Sequence, residues 1–261
     1  MSVKILDNIE AGLAERARRF SRPNGSHWPS KLSAWLVDDE NEAAYLAGNC
    51  MRALYWTYLG LDATDPSKPN GMMKMDAGNH TESQFLDDYT RHIGFTGERQ
   101  VECWVRDPRL KWPIHGFMDW RWVLRDEVGF GILDVKSTAD YSLKIADGEG
   151  FKDSWWLQMC CYHKSSRTEL PHMPVKMLKV LWIARGNMNR REFTKHPTDG
   201  AVDAAVEAII LRLVELEQRI GLHGEDAPGF CELPPAEFAH KGYDKYPCSY
   251  CDFKKKCKAN T

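Results

Sequence analysis

The chain has 261 residues, 43% hydrophobic and 28% charged, with a formal net charge of -2. A chain of this length buries a sizeable core without disulfides. Its near-neutral balance excludes a uniformly cationic coat for nucleic acid and leaves room only for a local basic groove. No apolar run approaches the roughly 18 residues that a transmembrane helix needs. The N-terminus, MSVKILDNIEAG, has no charged leader followed by an apolar stretch. A soluble, intracellular (cytoplasmic) protein without membrane attachment is expected.

In chain order, Val3, Leu6, Ile9, Leu13 and Phe20 follow helical spacing. Residues 21–30 (SRPNGSHWPS) read as a loop. Residues 40–60 read as a second helix carrying Cys50, and residues 62–71 as another loop. A helix is then expected from Asp76 to Ile93, with Phe85, Leu86, Tyr89 and Ile93 on one face. The period changes after it: Val101, Cys103 and Val105 alternate, and Asp107-Pro108 marks a turn. Strands are expected over 114–124 and 128–138, a helix over 151–165, a strand over 175–184 and a long helix over 199–221. Helices flanking a central run of strands indicate an α/β architecture, a central mixed β-sheet flanked by helices with helical additions at both ends. No internal repeat or linker interrupts it. The reading is one domain over 1–261, with a helical part over 1–75, a core over 76–185 and a C-terminal helix with a cysteine cluster over 186–261.

The chemistry concentrates on the two middle strands. Asp119 lies in GFMD; Asp134 follows fifteen residues later in LDVKS, and Lys136 two residues after that. On a strand, residues i and i+2 share a face, and hairpin pairing brings Asp119 beside them. Two converging carboxylates repel each other unless a divalent cation sits between them. Oxygen-only ligation suits Mg²⁺ or Mn²⁺, whose chemistry is to polarise a phosphodiester and acidify a water. A lysine on the same face can orient or deprotonate that water and offset phosphoryl charge. Asp-x-Lys alone is ordinarily a solvated surface pair. Here the strand is otherwise apolar at Ile132, Leu133 and Val135, a Gly-x-x-Asp precedes it, and His80 and Glu82 lie on the upstream helix. Gln158 and Tyr162, four apart on a helix, share a face and can hydrogen-bond a phosphate or the lysine.

The series His80, Gly116-Phe117-Met118-Asp119, Asp134-Val135-Lys136, Gln158 and Tyr162 resembles the PD-(D/E)XK nuclease superfamily. It is most similar to the RecB-like nuclease domain, over about residues 76–185. The resemblance implies a restriction-endonuclease-like core and a metal-dependent DNA nuclease. Asp119, Asp134 and the Val135 carbonyl would ligate Mg²⁺ or Mn²⁺, with His80 as a further ligand. Lys136 would position the attacking water, and Gln158 and Tyr162 would sit near the lysine and the DNA backbone. Exonuclease action is the expected activity, on linear or single-stranded DNA, in recombination, repair, phage replication or CRISPR processing alongside partner proteins of those pathways. The competing class is a DNA-binding module with a structural zinc site and no catalysis.

Three of the eight cysteines, Cys248, Cys251 and Cys257, form C-x₂-C-x₅-C near the C-terminus. A CxxC lets two thiolates reach one metal atom, and a fourth ligand must come from elsewhere: Cys50, Cys231 or, for zinc, His240. RecB-like nucleases with an iron–sulfur cluster, including AddB-type helicase-nucleases and CRISPR adaptation nucleases, carry one cysteine before the core and C-x₂-C-x₅-C after it. Cys50, followed by Arg52, Tyr55 and Trp56, resembles that upstream cysteine. The resemblance therefore implies a [4Fe–4S] cluster on Cys50, Cys248, Cys251 and Cys257. Cys103, Cys160 and Cys161 read as small buried hydrophobes. For phosphates, the candidate cations are Lys254, Lys255, Lys256 and Lys258, Arg121 and Arg125, and Arg185, Arg190 and Arg191. For base stacking the candidates are Trp112, Trp120, Trp122, Trp155 and Trp156.

Overall fold

The alternation at Val101, Cys103 and Val105 forms a strand in the computed structural model, which describes residues 25–37, 43–65, 69–92, 96–138, 150–223, 234, 236–238, 242, 244, 248 and 251–260. The helix expected at the N-terminus, Cys231 and His240 lie outside the described residues. The strands are β1 (Ser33–Val37), β2 (Ala44–Gly48), β3 (Gly97–Val105), β4 (Ile114–Val123), β5 (Phe130–Thr138), β6 (Val175–Ala184) and β7 (Arg190–Lys195). The helices are α1 (Met51–Tyr58), α2 (Pro69–His92), α3 (Asp153–Glu169), α4 (Asp199–Arg219) and α5 (Lys254–Ala259), with a 3₁₀ turn at Pro29–Lys31. Among the described residues, no helix is long and apolar enough to cross a membrane. The described residues divide into two compact units, one within 25–48 and 77–213 and the other within 49–76 and 214–260.

In the first of these units, β1 and β2 form an antiparallel pair, and the other strands form one sheet in the order β3-β4-β5-β6-β7. Every pairing in that sheet is antiparallel except β5 with β6. A parallel pair needs a crossover, and α3 supplies it. The fold is thus α/β, with a mixed five-stranded sheet flanked by helices. Strand β5 reads as a nearly unbroken apolar run because both of its faces are covered. Leu133 and Val135 pack with Leu86, Trp120, Trp122, Leu181 and Ile183. Asp134 and Lys136 are the exceptions. Gly131 pairs with Trp122 across the β4–β5 ladder, and a Cβ there would fall 2.1 Å from the indole ring. Gly131→Ala should therefore cost about 1–3 kcal/mol, as overpacking of a filled core does. Urea unfolding that leaves the midpoint unchanged would refute this packing.

One expectation is corrected, and one strand goes unread in the sequence. The helix read over 40–60 is β2 followed by the shorter α1, residues 40–42 lying outside the described ones. Gly48 divides them: its φ is +84°, and a Cβ would sit 2.2 Å from the Leu32 carbonyl oxygen, so only glycine closes β2 against β1 there. No strand is read from the sequence over 190–195, where the structure has an edge strand, β7, whose polar sequence (RREFTK) leaves all but Phe193 exposed. Charged side chains are a common protection for an edge strand, and they hide its period from a hydrophobicity reading.

In the other unit, α1 packs on the C-terminal segment. Trp56 lies 5.5 Å from Phe253 between ring centres, and both are buried with Cys257. The buried Arg52 donates from Nε to the Pro234 carbonyl at 2.6 Å. Glu237 accepts the Met51 N–H at 2.7 Å, an acid at a helix N-terminus where it is favoured. Asp65 accepts the Lys255 N–H at 2.7 Å at the start of α5, doing for that short helix what a local cap usually does.

Candidate active site

The β4–β5 ladder ends at Trp120 paired with Leu133, and the acidic pair stands just beyond that point. There the Asp119 carboxylate takes over a backbone role, Oδ2 accepting the Val135 N–H at 2.6 Å. Its Oδ1 accepts from Gln100 Nε2 at 3.1 Å. Gln100 has a φ of +49°, a left-handed conformation that is unusual for a non-glycine residue. The strands part here, and the opening is a cleft of about 310 Å³.

Asp134 is buried, with 3% of its surface exposed. Its Oδ2 lies 2.6 Å from Lys136 Nζ, and its Oδ1 accepts from Gln158 Nε2 at 3.3 Å. Gln158 also donates to the Tyr162 hydroxyl at 2.6 Å, and that hydroxyl donates to the Phe117 carbonyl at 2.8 Å. The i, i+4 pair on α3 therefore ties Asp134 to the backbone of the GFMD strand. From α2, Glu82 accepts the Ser137 N–H at 2.5 Å. Gly78, one turn earlier, lets the helix approach: a Cβ there would lie 2.3 Å from Ser137 Oγ. Gly116 has a matching reason, since a Cβ on it would meet Pro29 Cδ at 2.8 Å. The 3₁₀ turn thus sits on Gly116, and Trp28, Pro29 and Ser30 form part of the cleft wall.

The electrostatics follow from three carboxylates sharing one ammonium. Burial, and then repulsion from Asp134, push the Asp119 carboxyl from its usual 3.8 up to about 7, against the Val135 N–H and Lys136. Burial likewise raises Glu82, opposed by the Ser137 N–H and Lys136. For Lys136 burial opposes the charge, but Asp134, Asp119 and Glu82 outweigh it and hold the ammonium protonated above its ordinary range. The Tyr162 hydroxyl is pushed well up by burial and then by Asp134, so it stays a neutral donor.

Of the residues read from the sequence, Asp119, Asp134, Val135, Lys136, Gln158 and Tyr162 all line this cleft. Glu82 lines it as well, whereas His80 is exposed and is not among the lining residues. Two residues apart on a helix is a rotation of about 200°, so one helix cannot aim both at one point. Among the described residues, no three His, Cys, Asp or Glu side chains stand ready-spaced around one ion position. In the acidic cleft, the Lys136 ammonium and the Val135 N–H hold the oxygens that a cation would take.

Most of the proposed nucleic-acid contacts are engaged otherwise. Arg121 is buried and bridges Glu98 and Glu169. Trp120, Trp122, Trp155 and Trp156 are core residues. Lys254 and Lys258 pair with Asp244, and Lys255 with Asp65. The sequence reading missed Gln100, whose signal is only its position in the strand that pairs with GFMD, and Trp28, carried on a loop.

In the other unit, Cys50 precedes α1, and Cys248, Cys251 and Cys257 lie in the C-terminal segment. They feel one another electrostatically: Cys248 with Cys50 and Cys257, and Cys251 with Cys50 and Cys248. Two donors point at the sulfurs. Arg52 Nη1 reaches Cys257 Sγ at 3.7 Å, and the Phe253 N–H reaches Cys251 Sγ at 3.5 Å. Burial raises the thiols of Cys50, Cys248 and, to about 11, Cys251. Cys103, Cys160 and Cys161 are fully buried in the core, and Cys103 donates to the Cys161 carbonyl.

No family model and no curated protein matches the chain. Among solved structures, the alkaline exonuclease LHK-Exo from Laribacter hongkongensis is similar over 57% of this chain and 71% of its own, at 13% identity and a TM-score of 0.42. The same enzyme in complex with dAMP is similar over 83% of this chain and 95% of its own, at 15% identity and a TM-score of 0.48. The protein SSO0001 is similar over the whole of both chains, at 12% identity and a TM-score of 0.49.

Proposed function

We propose that this chain is a metal-dependent deoxyribonuclease of the PD-(D/E)XK superfamily that degrades DNA from its ends. The observation that carries the reading is the convergence of Asp119, Asp134 and Lys136 where the β4–β5 ladder ends, with Gln158 and Tyr162 bracing them from α3. The donor set suits a hard divalent cation. It is all oxygen (Asp119, Asp134, the Val135 carbonyl and Glu82 nearby), and burial and then repulsion from Asp134 raise the proton affinity of Asp119 in spite of Lys136, so the carboxylates outnumber the one cation among them. When bound, Mg²⁺ or Mn²⁺ supplies polarisation of the phosphodiester and acidification of a water.

The remaining work falls to the chain's own groups. Lys136 is held as a cation beside Asp134, so it is placed to orient the attacking water and to offset charge on the phosphoryl oxygens. Gln158 fixes the rotamer of Asp134, and Tyr162 fixes Gln158 while anchoring the backbone at Phe117. Asp119 takes the Val135 N–H and so fixes the peptide plane between Asp134 and Val135. The test of end dependence is degradation of linear against covalently closed DNA of the same sequence in Mn²⁺. Loss of the linear form alone is expected, and equal cutting of circles would make the enzyme an endonuclease.

A stability measurement probes the same site without turnover. The folded Asp119 carboxyl titrates near 7 against a usual 3.8. Between those values the folded state holds a proton that the unfolded state has lost, so stability falls as pH rises through this window. In EDTA, Asp119→Asn should raise the Tm at pH 8 by a few degrees and flatten the pH dependence. Mn²⁺ should stabilise the wild type and not the variant. A wild-type Tm indifferent to Mn²⁺ would count against a cation on these carboxylates.

We propose further that Cys50, Cys248, Cys251 and Cys257 hold a [4Fe–4S] cluster. Support comes from their electrostatic proximity and from the Arg52 and Phe253 donors aimed at sulfur, since hydrogen bonds to the sulfurs are one of the controls on such clusters. Protein purified without air should be brown, with broad visible absorbance and about four irons per chain. A colourless preparation with stoichiometric zinc would favour the competing reading, a DNA-binding module with a structural zinc site.

A further inference from the structure

Phe117, the second residue of the GFMD run, is half exposed, at 50%. It lines the cleft with Asp119, Asp134 and Lys136, as does Trp28. Its ring is braced from behind. It meets His115 edge-on, with centroids 5.4 Å apart and planes at 64°. His115 in turn stacks on Trp104 at 3.8 Å and 15°, and the Arg106 guanidinium lies 4.7 Å from the Trp104 ring centre. Glu102 holds the imidazole plane through His115 Nε2 at 3.0 Å. The Phe117 carbonyl accepts from the Tyr162 hydroxyl, so the network that positions Asp134 also anchors the backbone that carries this ring. An exposed phenyl so rigidly supported, at the mouth of a polar cleft, has little to do with the core.

We infer that Phe117 is a stacking platform for the nucleobase next to the scissile phosphate, and that the cleft therefore takes single-stranded DNA ahead of duplex. The inference rests on the nuclease reading and adds the residue that selects the single strand. Every base has a π-face, so one phenyl ring receives any of them without sequence preference. Phe117 and Asp119 are two residues apart on β4, about 7 Å along a strand, within the reach of one nucleotide from phosphate to base. In a duplex the same base is stacked and paired, and it must first be extracted to reach the ring.

The experiment is fluorescence anisotropy of labelled oligo(dT) with the full chain in EDTA, so that binding is read without cleavage. The probe is paired with an identical strand carrying abasic sites. The wild type should bind oligo(dT) about tenfold more tightly than the abasic strand, equivalent to about 1.4 kcal/mol of stacking, and more tightly than a blunt duplex. Phe117→Ala and Phe117→Leu should lose most of that preference for bases, and Phe117→Trp should keep it. Equal wild-type binding of the two strands overturns the platform without any variant having to fold. So does a preference for bases that survives in Phe117→Ala. Failure of the nuclease reading looks different: the preference would persist, while Mn²⁺ would support no cleavage of any DNA.

Discussion

Lys136→Ala is expected to slow phosphodiester cleavage about 10²–10³-fold at saturating Mn²⁺, the usual cost of removing one positioned charge from a reacting centre. The effect should fall on kcat, because the ammonium stands beside Asp134 in the cleft and acts on the charge that develops on the phosphoryl oxygens. A second consequence separates it from surface lysines. In EDTA the substitution leaves Asp134, Asp119 and Glu82 without their shared cation, so the metal-free variant should lose on the order of 3 kcal/mol of stability, as when one partner of a buried pair is deleted. Mn²⁺ should recover part of that loss. Lys136→Arg keeps the charge but not the compact head group, and should retain stability better than rate. A Lys136→Ala enzyme that cleaves at a third of the wild-type rate would remove the lysine from the mechanism.

Cys50→Ser should have the largest structural effect. The only cysteine of the four outside the C-terminal segment is Cys50, so its loss disconnects α1 from any cluster that the segment holds. Iron content and visible colour should both collapse. The melting temperature should fall by roughly 5–20 °C, the shift produced by about 2–5 kcal/mol, comparable to losing a native cross-link. Cys103→Ser, a substitution in the core, should leave the iron untouched whatever it does to stability. Full iron loading in Cys50→Ser would assign the fourth ligand elsewhere and leave Cys50 as an ordinary residue at the start of α1.

The site was more legible in the sequence than the strands around it. Asp134 and Lys136 stand out because their strand is otherwise apolar, and a period of two places them on one face; the structure has them 2.6 Å apart. Gln158 and Tyr162 were readable from helical spacing, and they do touch. The choice between His80 and Glu82 was not readable, because it depends on the rotation of α2, which Gly78 sets through its close approach to Ser137. Strands β1 and β2 were hidden because Ala44, Leu46 and Ala47 suit a helix as well as a strand, and the deciding feature is the φ of Gly48, a long-range consequence of Leu32. The tryptophans illustrate the same limit. Composition offers ten, but which of them are core is decided by packing: Trp28 lines the cleft, and beside it stands a half-exposed phenylalanine inside the acidic motif itself.

The most direct test of the central claim is cleavage of end-labelled linear DNA by anaerobically purified protein, first in EDTA and then after Mn²⁺ is added back to the same sample. The acidic cleft as described should give no cleavage in EDTA and full degradation once Mn²⁺ is restored, with Asp134→Asn inactive in both. Protein whose cysteines are loaded and which still leaves every DNA intact in Mn²⁺ would contradict the assignment and make binding without catalysis the better account of this fold.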